Sequence, residues 1–290
     1  MMYGINCHLR PDKLVQIDRA ADLGVSWVRL DFDWDRIEPR PNAYQWDICE
    51  RVVDRAISRG LRMMATLAYT PGWANGGKGR HYLADVDQTG RWSDFVGLAT
   101  ARFAGRVWHW GLGNEPNLLK YFRDGVDAYI ERQLIPGARA AKASNPNCLI
   151  CAPDLADTPD ALWELWRVIR KAGRHIDILT HHLYKPGTRT ELAKRLVPLS
   201  WLARIARRDL WITETGWETG PDPISEAAQA ENLRGYMDCV RRYSRIRNTF
   251  IYDIIDDPNP VDPMRFGLYR ANLTIKPAGA ELRRALTEVP

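Results

Sequence analysis

The 290-residue sequence contains no run of 18 apolar residues, so no membrane-spanning helix is expected. No GxGxxG or GxxxxGK turn follows any strand-like segment, which removes the dinucleotide and P-loop readings. Cysteine is scarce: there are five, all within apolar segments. Cys148 and Cys151 form a CxxC, but it falls inside a predicted strand, where positions three apart face opposite sides. The pair is therefore not expected to share a disulfide or a metal, and buried reduced thiols point to a reducing compartment. No His or Cys cluster has zinc or iron spacing and no EF-hand pattern occurs, so neither metal nor cofactor is expected. Excess charge is also modest, 41 Lys and Arg against 36 Asp and Glu, a net +5. Most basic residues lie on predicted helix faces, and no nucleic-acid motif accompanies them, although a basic surface attracts anionic polymers. The first residues, Met1 to Cys7, lack the layout of a signal peptide. A cytoplasmic location is expected if the chain begins natively there, a secreted or periplasmic one if a leader has been removed.

What the sequence does contain is a repeated rhythm of short apolar strands and helices. Strands are predicted at 3–7, 25–31, 61–67, 107–112, 148–152, 176–182, 210–213 and 249–255. Helices are predicted at about 13–23, 46–59, 93–103, 126–143, 159–171, 191–207, 225–243 and 277–286. In the seventh, Ala230, Leu233, Met237 and Val240 recur at helical spacing. Eight strand-then-helix units predict an α/β fold, a (β/α)8 barrel, with residues 1–290 as one domain lacking an accessory β-sandwich. The long segments after strands two and three are rich in Trp, Tyr, Asn and Gly, a composition suited to stacking on a sugar face. On a barrel of this type the loops at the carboxyl ends of the strands build the active site.

Two strands deliver a glutamate to that face. Trp108 to Asn117 reads WHWGLGNEPN and places Glu115 at the end of strand four; Leu210 to Trp217 reads LWITETGW and places Glu214 at the end of strand seven. Pro116 disfavours the helical region for the residue before it, so Glu115 is expected to be extended. Gly111 and Gly113 are expected to leave space for a ligand. Units four and seven face one another across a closed barrel, and two such carboxyls suit glycosidic-bond cleavage. One is protonated to donate to the leaving oxygen; the other stays ionised to meet the anomeric carbon. A separation of about 5 Å implies retention and a wider one inversion.

Gly113-Asn114-Glu115-Pro116 and Thr213-Glu214-Thr215-Gly216-Trp217 resemble the signature of glycoside hydrolase clan A, retaining glycosidases on (β/α)8 barrels. The resemblance covers essentially the whole chain. It implies Glu115 as acid/base, Glu214 as nucleophile, and Asn114 as partner of the sugar 2-hydroxyl. It also implies that Arg29 keeps the nucleophile ionised and that Tyr184, in His182-Leu183-Tyr184, bonds it. Many clan members end strand eight with a tryptophan; this chain has Tyr252-Asp253-Ile254-Ile255-Asp256-Asp257. That ending, with Thr70-Pro71-Gly72-Trp73-Ala74, is closest to family 39, with family 5 second.

For the remaining candidates two readings stay open. Trp34 and Trp73 are sugar platforms or loop packing, and His8 contacts sugar or packs a loop. Arg29, His182 and Tyr184 serve the site or merely tie strand ends together. Trp217 and Tyr252 border the two strand ends and are taken as sugar contacts. His109 and His181 are expected to be structural, and Asp253, Asp256 and Asp257 solvated. The expected activity is endo-acting hydrolysis of a β-linked polysaccharide or oligosaccharide by a monomer, without nucleic-acid or membrane partners. The alternatives are an exo-glycosidase or transglycosidase on small glycosides, or a non-catalytic carbohydrate-binding barrel.

Overall fold

Eight parallel strands hydrogen-bond side by side and close on themselves in chain order. They are β1 (Met2–Cys7), β2 (Trp27–Asp33), β3 (Arg62–Ala68), β4 (His109–Leu112), β5 (Leu149–Leu155), β6 (Ile178–His182), β7 (Asp209–Thr215) and β8 (Ile246–Ile251). Closure is made where Met2 to Ile5 of β1 register with Asn248 to Ile251 of β8. This computed structural model describes residues 1–8, 14–184, 189–220, 224–257 and 264–287. The helices are α1 (Leu14–Leu23), the single turn α2 (Trp34–Ile37), α3 (Asp47–Ser58), α4 (Thr89–Arg102), α5 (Gly125–Tyr129), α6 (Ile135–Ser144), α7 (Ala161–Ala172), α8 (Arg189–Ala206), α9 (Glu226–Val240) and α10 (Pro277–Thr287). The (β/α)8 architecture read from the sequence is the one observed. None of these helices is long and apolar enough to cross a membrane.

Parallel strands covered on both faces must be apolar outside and filled inside. β2 illustrates this by alternation: Val28, Leu30 and Phe32 pack outward under the helices, while Trp27, Arg29 and Asp31 point into the barrel. The lower end is filled by Trp27, Met64, Cys151, Ile178, Trp211 and Phe250. His109 lies among them, 4.8 Å from the Trp27 ring and 5.0 Å from Trp211, and burial pushes its pKa down to about 4. It is the structural histidine that was expected. All five cysteines are buried; Cys148 packs in the outer layer and Cys151 inside the barrel, on opposite faces.

Four local expectations are corrected. The predicted helix 126–143 is broken by a π-turn over Ile130–Leu134, followed by Pro136, whose missing N–H removes a regular i→i−4 bond. β8 starts earlier and ends at Ile251 rather than Ile255, because Ile255 pairs instead with Tyr269. β5 runs past Pro153 to Leu155 through a register shift between Ala152 and Leu155. The space beside Gly111 and Gly113 is taken by protein: an added Cβ would lie 2.8 Å from Thr66 Oγ1 and 2.8 Å from the Tyr129 ring.

Candidate active site

The upper mouth of the barrel holds a polar layer directly above the hydrophobic one. On β2 the inward sequence Trp27, Arg29, Asp31 climbs from floor to cleft by strand alternation. Arg29 is buried, and its guanidinium is held on four sides. Nη1 donates to Glu214 Oε1 at 2.6 Å and to Asn6 Oδ1 at 3.0 Å. Nη2 donates to Asn114 Oδ1 at 2.9 Å and to Asp154 Oδ2 at 3.2 Å. Burial works against the guanidinium charge, but the Asp154 and Glu214 carboxylates outweigh it and raise its pKa above the usual arginine value.

Glu214 receives a second bond, from the Tyr184 hydroxyl to Oε2 at 2.5 Å. Burial, then the Glu214 charge, pushes the Tyr184 pKa well up, so this hydroxyl keeps its proton. Glu115 stands opposite. Its backbone is not extended as expected but has φ 45°, and its N–H donates to the Asp154 carbonyl at 3.0 Å. That tie to the neighbouring strand overrides the preference imposed by Pro116. Its Oε1 lies 2.9 Å from His182 Nδ1, which is also 3.5 Å from Glu214 Oε2. Burial alone would lower the His182 pKa; the charge of Glu214 and the bond to Glu115 raise it instead. One carboxylate oxygen of Glu115, one of Glu214 and a His182 nitrogen all lie within 4.8 Å of one another. Three such atoms suit a cation by spacing, but the Arg29 guanidinium on Glu214 already supplies the positive charge at this point.

A cleft of about 500 Å³ opens above this pair, lined by Asn114, Glu115, Tyr184, Glu214, His8 and Tyr252 among others. His8 Nδ1 lies 2.6 Å from Asp31 Oδ2 and its Nε2 lies 3.2 Å from the Tyr252 hydroxyl. Burial disfavours the imidazolium, but Asp31 and Asp253 more than offset it and raise the His8 pKa to about 10.

Arg29, Asn114, His182, Tyr184, His8 and Tyr252 thus gather around Glu115 and Glu214, whereas the tryptophans do not. Trp34 is 1% exposed, donates from Nε1 to Glu38 Oε2 at 2.7 Å and stacks on Phe95. Trp73 donates to the Glu38 carbonyl at 2.8 Å and meets Trp34 edge-on. Trp217 is buried against Tyr236 behind β7. All three are packing residues, because their indole N–H groups or faces are satisfied within the protein. The cleft's aromatic walls are instead Tyr69, Tyr121 and Phe266. Asp253 and Asp256 are buried rather than solvated: Asp253 Oδ2 lies 3.6 Å from His8 Nε2, and Asp256 accepts from the buried Lys276 ammonium at 2.7 Å. His181 faces away, as expected, and burial drops its pKa to about 3.

Asp154 is the site residue that sequence reasoning missed. It is 1% exposed, with φ 53°, and joins both halves of the site. Its carboxylate accepts from Arg29 and, at 2.5 Å, from Thr213 Oγ1, the residue before Glu214; its carbonyl holds the Glu115 backbone. The available signal was an aspartate immediately after an apolar strand, hidden by the proline that ended the predicted element.

No protein-family model and no curated protein matches the sequence. Solved structures do share its fold. A family 39 glycoside hydrolase from the gut symbiont Bacteroides cellulosilyticus WH2 superposes with a TM-score of 0.80 at 18% identity, over 99% of this chain and 63% of that one. A monomeric beta-xylosidase from Caulobacter crescentus CB15 gives 0.77 at 20% identity, over 98% of this chain and 67% of that one. A GH5_18 structure from Streptomyces cattleya in complex with GlcNAc gives 0.78 at 16% identity, over 100% and 81%. This chain therefore spans under two thirds of the length of the Bacteroides enzyme. The expected likeness to family 39, with family 5 second, holds at the level of the fold: the chain has the (β/α)8 barrel of these glycoside hydrolases.

Proposed function

We propose that this single barrel hydrolyses β-glycosidic bonds with retention of configuration, acting at internal bonds of a β-linked glycan. The observation that carries the reading is the pair of buried carboxylates, Glu115 and Glu214, each offering an oxygen within 4.8 Å of one on the other. A carboxyl separation of about 5 Å suits double displacement and leaves no room for the water that inversion needs between them. Arg29 and Tyr184 each donate to one oxygen of Glu214, orienting it as a nucleophile requires.

In the first step Glu214 bonds to the anomeric carbon while the glycosidic C–O bond breaks and Glu115 gives its proton to the departing oxygen. In the second, Glu115 takes a proton from water; the hydroxide equivalent attacks the anomeric carbon and Glu214 leaves. Two inversions restore the original configuration. Because Asn114 Oδ1 is occupied by Arg29, its amide nitrogen is left as a donor toward a sugar oxygen in the cleft.

The test compares Glu214→Ala and Glu115→Ala on activated aryl β-glycosides and on polysaccharides. Glu214→Ala is expected to abolish turnover of both. Glu115→Ala should spare the aryl glycosides more, and added azide should rescue it as a β-glycosyl azide. An α-azide, or full polysaccharide turnover by either variant, would refute the assignment. Oligosaccharides released early from a polymer would support internal cleavage; monosaccharide alone would refute it.

A further inference from the structure

The charges lining the cleft are mostly engaged by partners within the protein. His8 faces Asp31, Glu115 faces His182, and Glu214 is bonded by Arg29 and Tyr184. Lys120 is different. It lines the same cleft and is exposed, yet among the described residues its ammonium has no carboxylate partner. It sits over the face of the Tyr121 ring, 5.1 Å from the centroid. A ring quadrupole is a weak partner for an exposed ammonium, so the cation is held near the cleft without being neutralised. Glu218, on the loop after β7, also lines the cleft and likewise has no cationic partner among the described residues. The cleft is thus polarised, positive on the Glu115 wall and negative on the Glu214 wall.

We infer that the glycan carries an anionic substituent, a sugar carboxylate or an ester sulfate, which Lys120 engages on the wall that bears Glu115. This deepens the glycosidase reading and rests on it. The chain's net +5 charge acts in the same direction, since a basic protein concentrates a polyanion near its surface. Lys120 lies five positions after Glu115 on a loop tied to its neighbour by the bond from Arg123 N to the His81 carbonyl. A ligand group meeting the ammonium therefore lies in the same cleft as Glu115. Neutral β-glycans would use only the aromatic and hydroxyl contacts of the remaining walls. An anionic chain gains a charge-assisted hydrogen bond as well.

The test measures binding, so that it survives a failure of the catalytic assignment. Three β-linked oligosaccharides of equal length are titrated into the Glu115→Gln protein by calorimetry: one neutral, one bearing a single hexuronate, one bearing a single sulfate. The same titrations are made with Lys120→Met and Lys120→Arg added. An anionic ligand is expected to bind about five- to tenfold more tightly than the neutral one. Lys120→Met should erase that preference without changing neutral binding, and Lys120→Arg should keep it. The preference should also shrink as salt rises from about 0.05 to 0.5 M. The arm that binds more tightly separates carboxylate from sulfate. Equal binding of charged and neutral ligands, or equal weakening of all three by Lys120→Met, would overturn the inference. In parallel, aryl β-glycoside turnover is measured with the wild type. Absence of that turnover in the wild type would count against the glycosidase reading alone.

Discussion

Replacing Asp154 by asparagine tests the electrostatic logic of the site more sharply than removing either glutamate. The substitution keeps shape and volume but removes a charge from a carboxylate that is 1% exposed. Asparagine retains one acceptor oxygen, yet two donors converge on the native group, Arg29 Nη2 at 3.2 Å and Thr213 Oγ1 at 2.5 Å. One of them then faces an NH2 group. The buried guanidinium keeps Glu214 as its counter-charge but loses Asp154. Breaking a buried ion pair from one side costs about 3–5 kcal/mol, and the retained oxygen should reduce this to about 2–4 kcal/mol. For a domain of this size each kcal/mol shifts the melting temperature by roughly 2–4 °C, so a fall of about 5–15 °C is expected in thermal denaturation followed by circular dichroism. Activity should fall as well. Arg29 loses one of its four anchors, and a roughly tenfold loss, about 1.4 kcal/mol of transition-state stabilisation, is expected. The loss should appear in kcat on an aryl β-glycoside with KM little changed, because the substrate does not reach Asp154. Thr213→Val removes a donor but no charge and should cost only about 1 kcal/mol. A D154N protein that melts within about 1 °C of wild type with unaltered kcat would refute the reasoning.

The remaining predictions concern the fold and its pH response. Gly4→Ala places a Cβ 2.5 Å from the Phe250 ring and 2.9 Å from Trp27 Cβ, and should destabilise the protein by about 1–3 kcal/mol in urea titration. Trp211→Ala empties part of the barrel floor and should cost about 3–5 kcal/mol while KM stays within about twofold, since the residue lies far below the cleft. Trp34→Phe should weaken the fold by about 1–3 kcal/mol through the lost bond to Glu38 and leave glycan affinity unchanged; a large rise in KM would restore it as a sugar platform. His8 has its folded pKa raised to about 10, so the stability it contributes is fully present below its ordinary value of 6.5. That contribution is lost as pH rises through about 10. Melting temperatures recorded across this window should fall more steeply for wild type than for His8→Gln, and parallel curves would refute the assignment.

The barrel was legible because each unit repeats the same demand: an apolar strand that must be covered, then a helix with one apolar face. Glu115 and Glu214 were legible because each motif is contiguous in the chain and sits where its strand ends. What was hidden is what depends on direction rather than composition. The tryptophan-rich segment after β3 and Trp34 after β2 looked fit for stacking on a sugar, but whether an indole faces ligand or core is decided by Glu38, which claims both N–H groups. Asp154 was hidden because Pro153 lacks a strand donor, so the predicted strand stopped one residue short of the proline. The observed strand passes it by shifting register, which turns the aspartate inward. The backbone of Glu115 likewise answers to the Asp154 carbonyl on the next strand, a partner 39 positions away that local propensity does not sense.

The aromatic floor of the barrel has a consequence for traffic. With Trp27 meeting His109, Trp211 and Phe250 edge-on and His109 stacked on Trp211 across the lower end, the cylinder is a well and not a tunnel. Nothing threads through it. On the proposed reading, substrate and products enter and leave by the one opening at the mouth, because the packed floor closes the other end.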